Sequence, residues 1–412
     1  MSIDNVGGYK YEVIPEQPAQ AVLMARSDRN PEAAVEQANA ALEQAQSPWR
    51  LEVESPGSHP FVTPALLKPR TTAAPDLSAQ VPDMTLLGAF GLIRGSNGQG
   101  NPGLKTSSLP GSSLHLAGLT RGDLGHVPVS VHCAPPERPP ATDRRVVVAI
   151  LDTAVDPHPW LGEADTALGG PGFWVDARTM GWLPGPRLPA VPALAGRLER
   201  ELAEQEGHGT FIAGLIRQIA PAAQVLAVHV TDADGTVHSD HLLNALQLLL
   251  TDRHVREGDV VCLPFSFRPE FPADQLFLDW LAEVLAKLAD AGVTVVAAAG
   301  NDGSDDPVYP AAFVATKESP EKYRLRSVGA LASAGSPTQA YYSNHGTWVS
   351  HWEVGVSVVS AFPKVNASAA AEYTAPYRAS ADTDDFSEGF ARWSGTSFAV
   401  AIHAAKIVAG KA

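Results

Sequence analysis

Cysteine is almost missing from this chain. Only Cys133 and Cys262 occur among 412 residues, and they lie far apart. That argues against a disulfide framework, and neither thiol belongs to a metal-ligand spacing pattern. Positive charge is also short. The 30 Lys and Arg against 45 Asp and Glu give a formal net charge of −15, so the basic footprint of a nucleic-acid binder is lacking. Long apolar runs are absent as well: no stretch approaches the roughly 18 residues of a membrane span. The opening residues, Met1 to Gly8, have neither the basic nor the apolar region of a secretory signal. The expectation is a cytoplasmic protein with no membrane or nucleic-acid partner. No internal repeat is visible.

What remains is a chain with 45% hydrophobic residues, long enough for one large domain and a smaller one. Residues 1–55 read as a small α/β unit. Strands are expected at Lys10–Ile14, Ala21–Ala25 and Trp49–Glu54. A helix opens at Asn30-Pro31-Glu32, with an N-cap, a proline at the first position and early acidic residues, and runs to about Gln46. This unit is either an ordinary appendage or a pro-segment. Residues 56–140 form a Pro/Gly-rich extension and linker. Its segment Gly95–Gly103 is a loop without the lysine of a phosphate-binding motif.

The main domain is expected over 141–412. Val146–Leu151 is a continuous apolar run, as in a strand buried on both faces of a parallel sheet. Further strands are expected at Val225–Val230, Asp259–Leu263, Val293–Ala299, Arg326–Ala330 and Val356–Ser360, with helices at Asp240–Leu250 and Ala273–Ala291. This alternation predicts a three-layer α/β fold, a mostly parallel sheet with helices on both faces. Function in such sheets collects at the carboxyl ends of the strands. Residues 365–390 read as a solvated acidic loop.

Four residues carry the candidate chemistry. Asp152 ends a buried strand. His208 stands between glycines at the start of an apolar helix. Asn301 follows another buried strand. Ser397, in Gly395-Thr396-Ser397, opens the last apolar helix, whose free N–H groups face whatever the hydroxyl attacks. Each has a plain structural explanation alone: a strand cap, a core histidine, a turn amide, a helix cap. Together they divide the labour of acyl transfer. A serine needs a base to take its proton, an imidazole titrates near neutrality, a carboxylate fixes its tautomer, and an amide donates to an oxyanion.

The order Asp…His…Asn…Ser in these flanks resembles the subtilisin family of serine endopeptidases over residues 145–412. Tyr309-Pro310-Ala311-Ala312-Phe313 and Ser343-Asn344-His345-Gly346 are similar to two further family segments. The resemblance implies cleavage of a protein or peptide substrate through an acyl-enzyme, with Asp152, His208 and Ser397 as the triad and Asn301 as oxyanion donor. It implies no cofactor in the chemistry. It also admits structural calcium, which no residue pattern here indicates; the polar loop around Gly235 lacks the glutamate of a calcium hand. Departures from the family pattern are Ala154 for glycine, Phe211 for a second histidine, and Ala401 for a proline. The substrate-binding strand reads Leu263-Pro264-Phe265-Ser266. There Pro264 has no N–H to give, and Ser266 narrows a pocket that glycine leaves open. These departures keep two rivals open: a protease-like peptide-binding protein with little turnover, and a zymogen held inactive by its N-terminal extension.

Overall fold

The computed structural model describes residues 22–26, 30–47, 49–53, 62–69, 92–94, 104–106, 126–139, 145–162, 174–176, 181–183, 205–231, 235–237, 239–269, 274–315, 323–364 and 386–411. The strand expected at Lys10–Ile14, the loop at Gly95–Gly103 and most of the acidic stretch 365–390 lie outside these residues.

The chain divides into two compact units, one of residues 1–57 and 62–101, the other of residues 58–61 and 102–412. In the smaller, β1 (Val22–Arg26), β2 (Trp49–Val53), β3 (Val62–Pro69) and β4 (Leu92–Arg94) form an antiparallel sheet in the order β2-β3-β1-β4. Helix α1 (Pro31–Gln44) starts where the Asn30 side chain accepts from Ala33 N at 3.1 Å. Its Val35, Ala38 and Leu42 are buried, as is Leu51 of β2. The Asn39 amide pairs with both backbone groups of Leu51, at 2.7 and 2.8 Å, and so ties helix to sheet. β3 and β4 fall within the stretch read as linker.

The larger unit is built on an eight-stranded sheet, ordered β16-β15-β14-β12-β7-β10-β8-β9. These strands are β7 (Val147–Asp152), β8 (Trp174–Asp176), β9 (Gly181–Leu183), β10 (Gln224–His229), β12 (Val260–Leu263), β14 (Thr294–Ala298), β15 (Leu325–Leu331) and β16 (His351–Val354). All neighbours are parallel except β8 and β9. All six residues of β7 are buried, which explains the unbroken apolar run: a central parallel strand has no solvent face.

Side chains alternate across the sheet. Val148, Ile150, Val260, Cys262, Val296, Ala298, Val328 and Ala330 share one apolar core with α2 (His208–Ile219) and α5 (Thr396–Val408). The intervening Ala149, Leu151, Val261, Leu263, Val295 and Ala297 are equally buried, so the opposite face is covered too. There α3 (Ser239–Thr251) packs on α4 (Asp274–Asp290), and α4 on β14. The three-layer arrangement is present. The strand expected at Val356–Ser360 is β17 (Val358–Ala361), but it joins no parallel ladder among the described residues. It pairs antiparallel with β18 (Phe390–Trp393), which in turn pairs with β6 (Val127–Pro128). The edge strand of the main sheet is instead β16, whose half-buried residues carry no strong apolar pattern. β6 places residues well before 141 within this unit.

A third sheet is small. β11 (Thr236–Val237) and β13 (Phe265–Ser266) flank β5 (Leu104–Thr106), in the order β11-β5-β13, with both pairings antiparallel.

Candidate active site

Asp152 is the last residue of β7 and fully buried. Its Oδ1 accepts from Thr153 N at 2.6 Å. His208 is the first residue of α2, after Gly207 at φ +80°. A Cβ on Gly207 would lie 2.6 Å from the Phe362 ring, so only glycine lets the helix begin here. Next to the histidine, Gly209 N donates to Thr153 Oγ1 at 2.9 Å, and a Cβ on Gly209 would meet the Thr153 carbonyl at 2.4 Å. The glycines on either side of His208 thus allow the helix start to press onto the end of β7. As a result His208 Nδ1 lies 2.7 and 2.9 Å from the two Asp152 carboxylate oxygens. This contact fixes Nδ1 as the protonated nitrogen and leaves Nε2 as a free base. Nε2 is buried and has no hydrogen-bond partner among the described residues.

Ser397 lies in the first turn of α5 and is fully buried. Its Oγ donates to the Pro264 carbonyl at 3.0 Å. The residues on either side of it reach the other candidates. Thr396 donates from N (3.0 Å) and Oγ1 (2.9 Å) to Asn301 Oδ1, and the Phe398 ring packs 5.4 Å from the His208 ring. With its oxygen so held, Asn301 has a fixed amide plane. Its Nδ2 is buried and unpartnered among the described residues, and a buried donor without an acceptor is costly enough to demand a reason. The Asn301 loop is itself clamped: Asn344 Oδ1 accepts from Asp302 N and Ser304 N at 2.9 and 3.0 Å, and Asn344 N donates to Gly300 O at 2.9 Å. That clamp is the Ser-Asn segment singled out in the sequence.

The candidate binding strand runs from Leu263, the end of β12, through Pro264 into β13. Leu263, Pro264 and Phe265 are buried and Ser266 is half-buried. Ser266 Oγ lies 3.3 Å from where a Gly300 Cβ would be, so the hydroxyl borders the asparagine loop. Past β13, Phe267 and Tyr309 exchange two backbone hydrogen bonds of 2.7 and 2.8 Å, the role of the Tyr-Pro-Ala segment here.

Three contributors are not evident from the sequence. Thr396 orients Asn301. Trp393 stands edge-on to His208 with centroids 5.4 Å apart and, with Phe398 and Phe211, walls off the imidazole. His126, from the stretch read as linker, inserts among Phe362, Phe386 and Trp393. A single apolar or aromatic residue in a sequence does not reveal which ring it will cover. Phe211, where the family often has histidine, is a core residue 4.5 Å from the Phe398 ring. Cys262 lies in the core beneath, and burial, then the Asp152 charge, holds its thiol well above the usual range, which removes it as a nucleophile. Among the described residues no group of three or more His, Cys, Asp or Glu is placed to hold a metal ion. None of their helices is long and apolar enough to cross a membrane.

Comparisons with known proteins bear on the same region. The chain is 27% identical over 199 residues to minor extracellular protease Epr of Bacillus subtilis (45% of this chain, 25% of that protein). It is 30% identical over 163 residues to subtilisin-like protease 2 of Pseudogymnoascus destructans (39% and 36%). It is 25% identical over 236 residues to subtilisin E of Bacillus subtilis (54% and 50%). The matches thus span between a quarter and a half of these relatives. Among solved structures it is similar to a lanthipeptide protease (TM-score 0.45, 19% identity, 63% of this chain and 71% of that one). It is also similar to a cold adapted subtilisin-like serine proteinase (0.41, 18%, 63% and 72%). The subtilase family model matches residues 143–410, the stretch that carries all four candidate side chains, and the chain belongs to the subtilase family.

Proposed function

We propose that the protein is a serine endopeptidase with Asp152, His208 and Ser397 as its triad and Asn301 as its oxyanion donor. The carrying observation is the pair of buried, unpartnered nitrogens, His208 Nε2 and Asn301 Nδ2. One is a base and the other a donor, and each belongs to a residue touched by an immediate neighbour of Ser397. For the reaction the Ser397 hydroxyl leaves the Pro264 carbonyl and turns to Nε2. The imidazole takes the proton as Oγ attacks the substrate carbonyl. Asp152 stabilises the imidazolium. The developing oxyanion meets Asn301 Nδ2 and the Ser397 N–H, which as a first-turn donor has no carbonyl within its helix. His208 then protonates the leaving amine, and water releases the acyl group by the reverse sequence. Loss of one such side-chain donor costs about 10²–10³ in turnover, a magnitude carried over from subtilisin. No cofactor enters these steps.

The substrate is a dedicated protein or precursor peptide. Ser266 beside Gly300 and a fully buried Ser397 suit selective cutting better than broad degradation. The bond from Ser397 to Pro264 rather than to His208 favours as second reading a peptide-binding protein with little turnover. Profiling the full chain and its Ser397→Ala variant on a peptide library separates the two. The endopeptidase gives cleavage products that vanish in the variant. Retention of peptides by both proteins, with no products from either, supports the binding protein.

A further inference from the structure

We propose that Trp393 and His126 hold the water that hydrolyses the acyl-enzyme, the indole N–H donating to its oxygen and His126 Nδ1 accepting one of its hydrogens, beside His208 Nε2. The inference rests on the endopeptidase reading and supplies the groups that serve its second half. Strand pairing brings the rings together. Trp393 ends β18, just before the Ser394–Ser397 turn. In the ladder of β6 with β18, Ala391 pairs with Pro128 and Arg392 with Val127. In an antiparallel pair each step forward on one strand is a step back on the other, so His126 comes beside Trp393. Their ring centroids lie 4.8 Å apart. The same indole stands edge-on to the His208 ring at 5.4 Å.

Each of the three rings carries an orphaned polar atom. Trp393 Nε1, His126 Nδ1 and His208 Nε2 are all buried, with no hydrogen-bond partner among the described residues. One such group in a protein interior calls for a reason, and here three sit on rings in contact. Their chemistry is complementary. An indole nitrogen only donates, whereas a neutral imidazole has one donor and one acceptor. His208 gives its Nδ1 proton to Asp152, so its Nε2 accepts. Burial, then the His208 charge, lowers the His126 pKa to about 4. Above that pH the ring is neutral, and with its proton on Nε2 its Nδ1 accepts. One donor and two acceptors match the lone pair and two hydrogens of a water. Buried waters typically make about three hydrogen bonds to groups otherwise unsatisfied. A main-chain amide, with one N–H and one C=O, would leave one of the three atoms unmet.

The step balances with water alone. The indole N–H occupies one lone pair of the water oxygen and leaves the second for the ester carbonyl. His208 Nε2 takes one proton as that oxygen bonds to the acyl carbon. The other hydrogen stays on the oxygen, directed at His126 Nδ1. The bond from the acyl carbon to Ser397 Oγ then breaks, and His208 returns its proton to Oγ. The products are a carboxylic acid and free Ser397. Acylation consumes no water, so the two nitrogens act on the second half-reaction only.

The test separates the half-reactions in the full chain. Trp393→Phe and His126→Phe keep a ring and remove the nitrogen, while His126→Gln keeps an acceptor. With p-nitrophenyl acetate the burst of nitrophenol reads acylation and the steady rate reads deacylation. Both phenylalanine variants should match the wild type in burst rate and in labelling of Ser397 by a fluorophosphonate. Their deacylation should slow about tenfold, the upper range for one hydrogen bond, with acetyl-Ser397 accumulating in the intact mass. His126→Gln should recover most of that loss. His126 is half-buried, so its two variants carry the test if Trp393→Phe does not fold. Rings that only pack would slow labelling and deacylation together, or neither. Either result overturns the proposal and leaves the endopeptidase reading intact. Failure of Ser397 to label in the wild type overturns both.

Discussion

Thr396 shows how much of the chemistry hangs on one hydroxyl. Its Oγ1 bond of 2.9 Å and its N–H bond of 3.0 Å end on the same oxygen of Asn301. Without the first, the amide keeps a partner but loses half its restraint. Thr396→Val should lower kcat roughly threefold to tenfold, the range of one ordinary hydrogen bond, with KM little changed. Thr396→Ser should restore it. Steady-state kinetics on a cleaved library peptide reads this directly, and an equal change in KM would point to a binding role instead. At this scale the sequence was most legible for side chains whose chemistry is rare. Asp152, His208, Asn301 and Ser397 stand out by type and flank. Thr396, Trp393 and His126 act through a contact that only the fold creates, so their types carry no signal of it.

Elements were legible where a single periodicity governs them. β7, β12 and β14 are buried on both faces and read as unbroken apolar runs. β16 is half-buried and β5 is three residues long, so neither pattern nor length announces them. β6 is shorter still, and His126 beside it sets a pH dependence. The ring is packed among Phe362, Phe386 and Trp393, its Nδ1 has no hydrogen-bond partner among the described residues, and the titratable group facing it there is His208. Burial first, then His208, lowers its pKa to about 4. His158 is held neutral in the same way. Its Nδ1 accepts from Trp160 N at 3.1 Å and its Nε2 donates to Gly389 O at 2.8 Å. Burial is the main cause that lowers it to about 4. In the unfolded chain both would bind protons near pH 6.5. Between pH 6.5 and 4 the unfolded state therefore holds more protons, and stability falls as pH falls. Denaturant unfolding across that window should show this slope, and His126→Phe, which keeps the ring packing, should flatten it. An unchanged slope would mean that His126 is already protonated in the folded protein.

The whole molecule joins a family scaffold to a segment that is not part of the family match. Residues 143–410 supply the parallel sheet and all four candidate side chains, whereas β5 and β6 enter the larger unit from before that region. Within the larger unit the Ser397 hydroxyl rests on the Pro264 carbonyl, while His208 Nε2 and Asn301 Nδ2 are buried with no hydrogen-bond partner among the described residues. The order of the motifs along the chain indicated the scaffold; the pairing of residues so far apart in sequence could not be read there, because three-residue strands declare no partner. The account stands on Ser397 being the group that His208 activates. The decisive measurement is to react the full chain with a fluorophosphonate and locate the adduct by peptide mass spectrometry, beside the same chain carrying His208→Ala. The account predicts a single adduct on Ser397 that forms at least a hundredfold more slowly without the imidazole, a conservative share of the contribution of a general base. An adduct on another residue, or equal rates with and without His208, would contradict it.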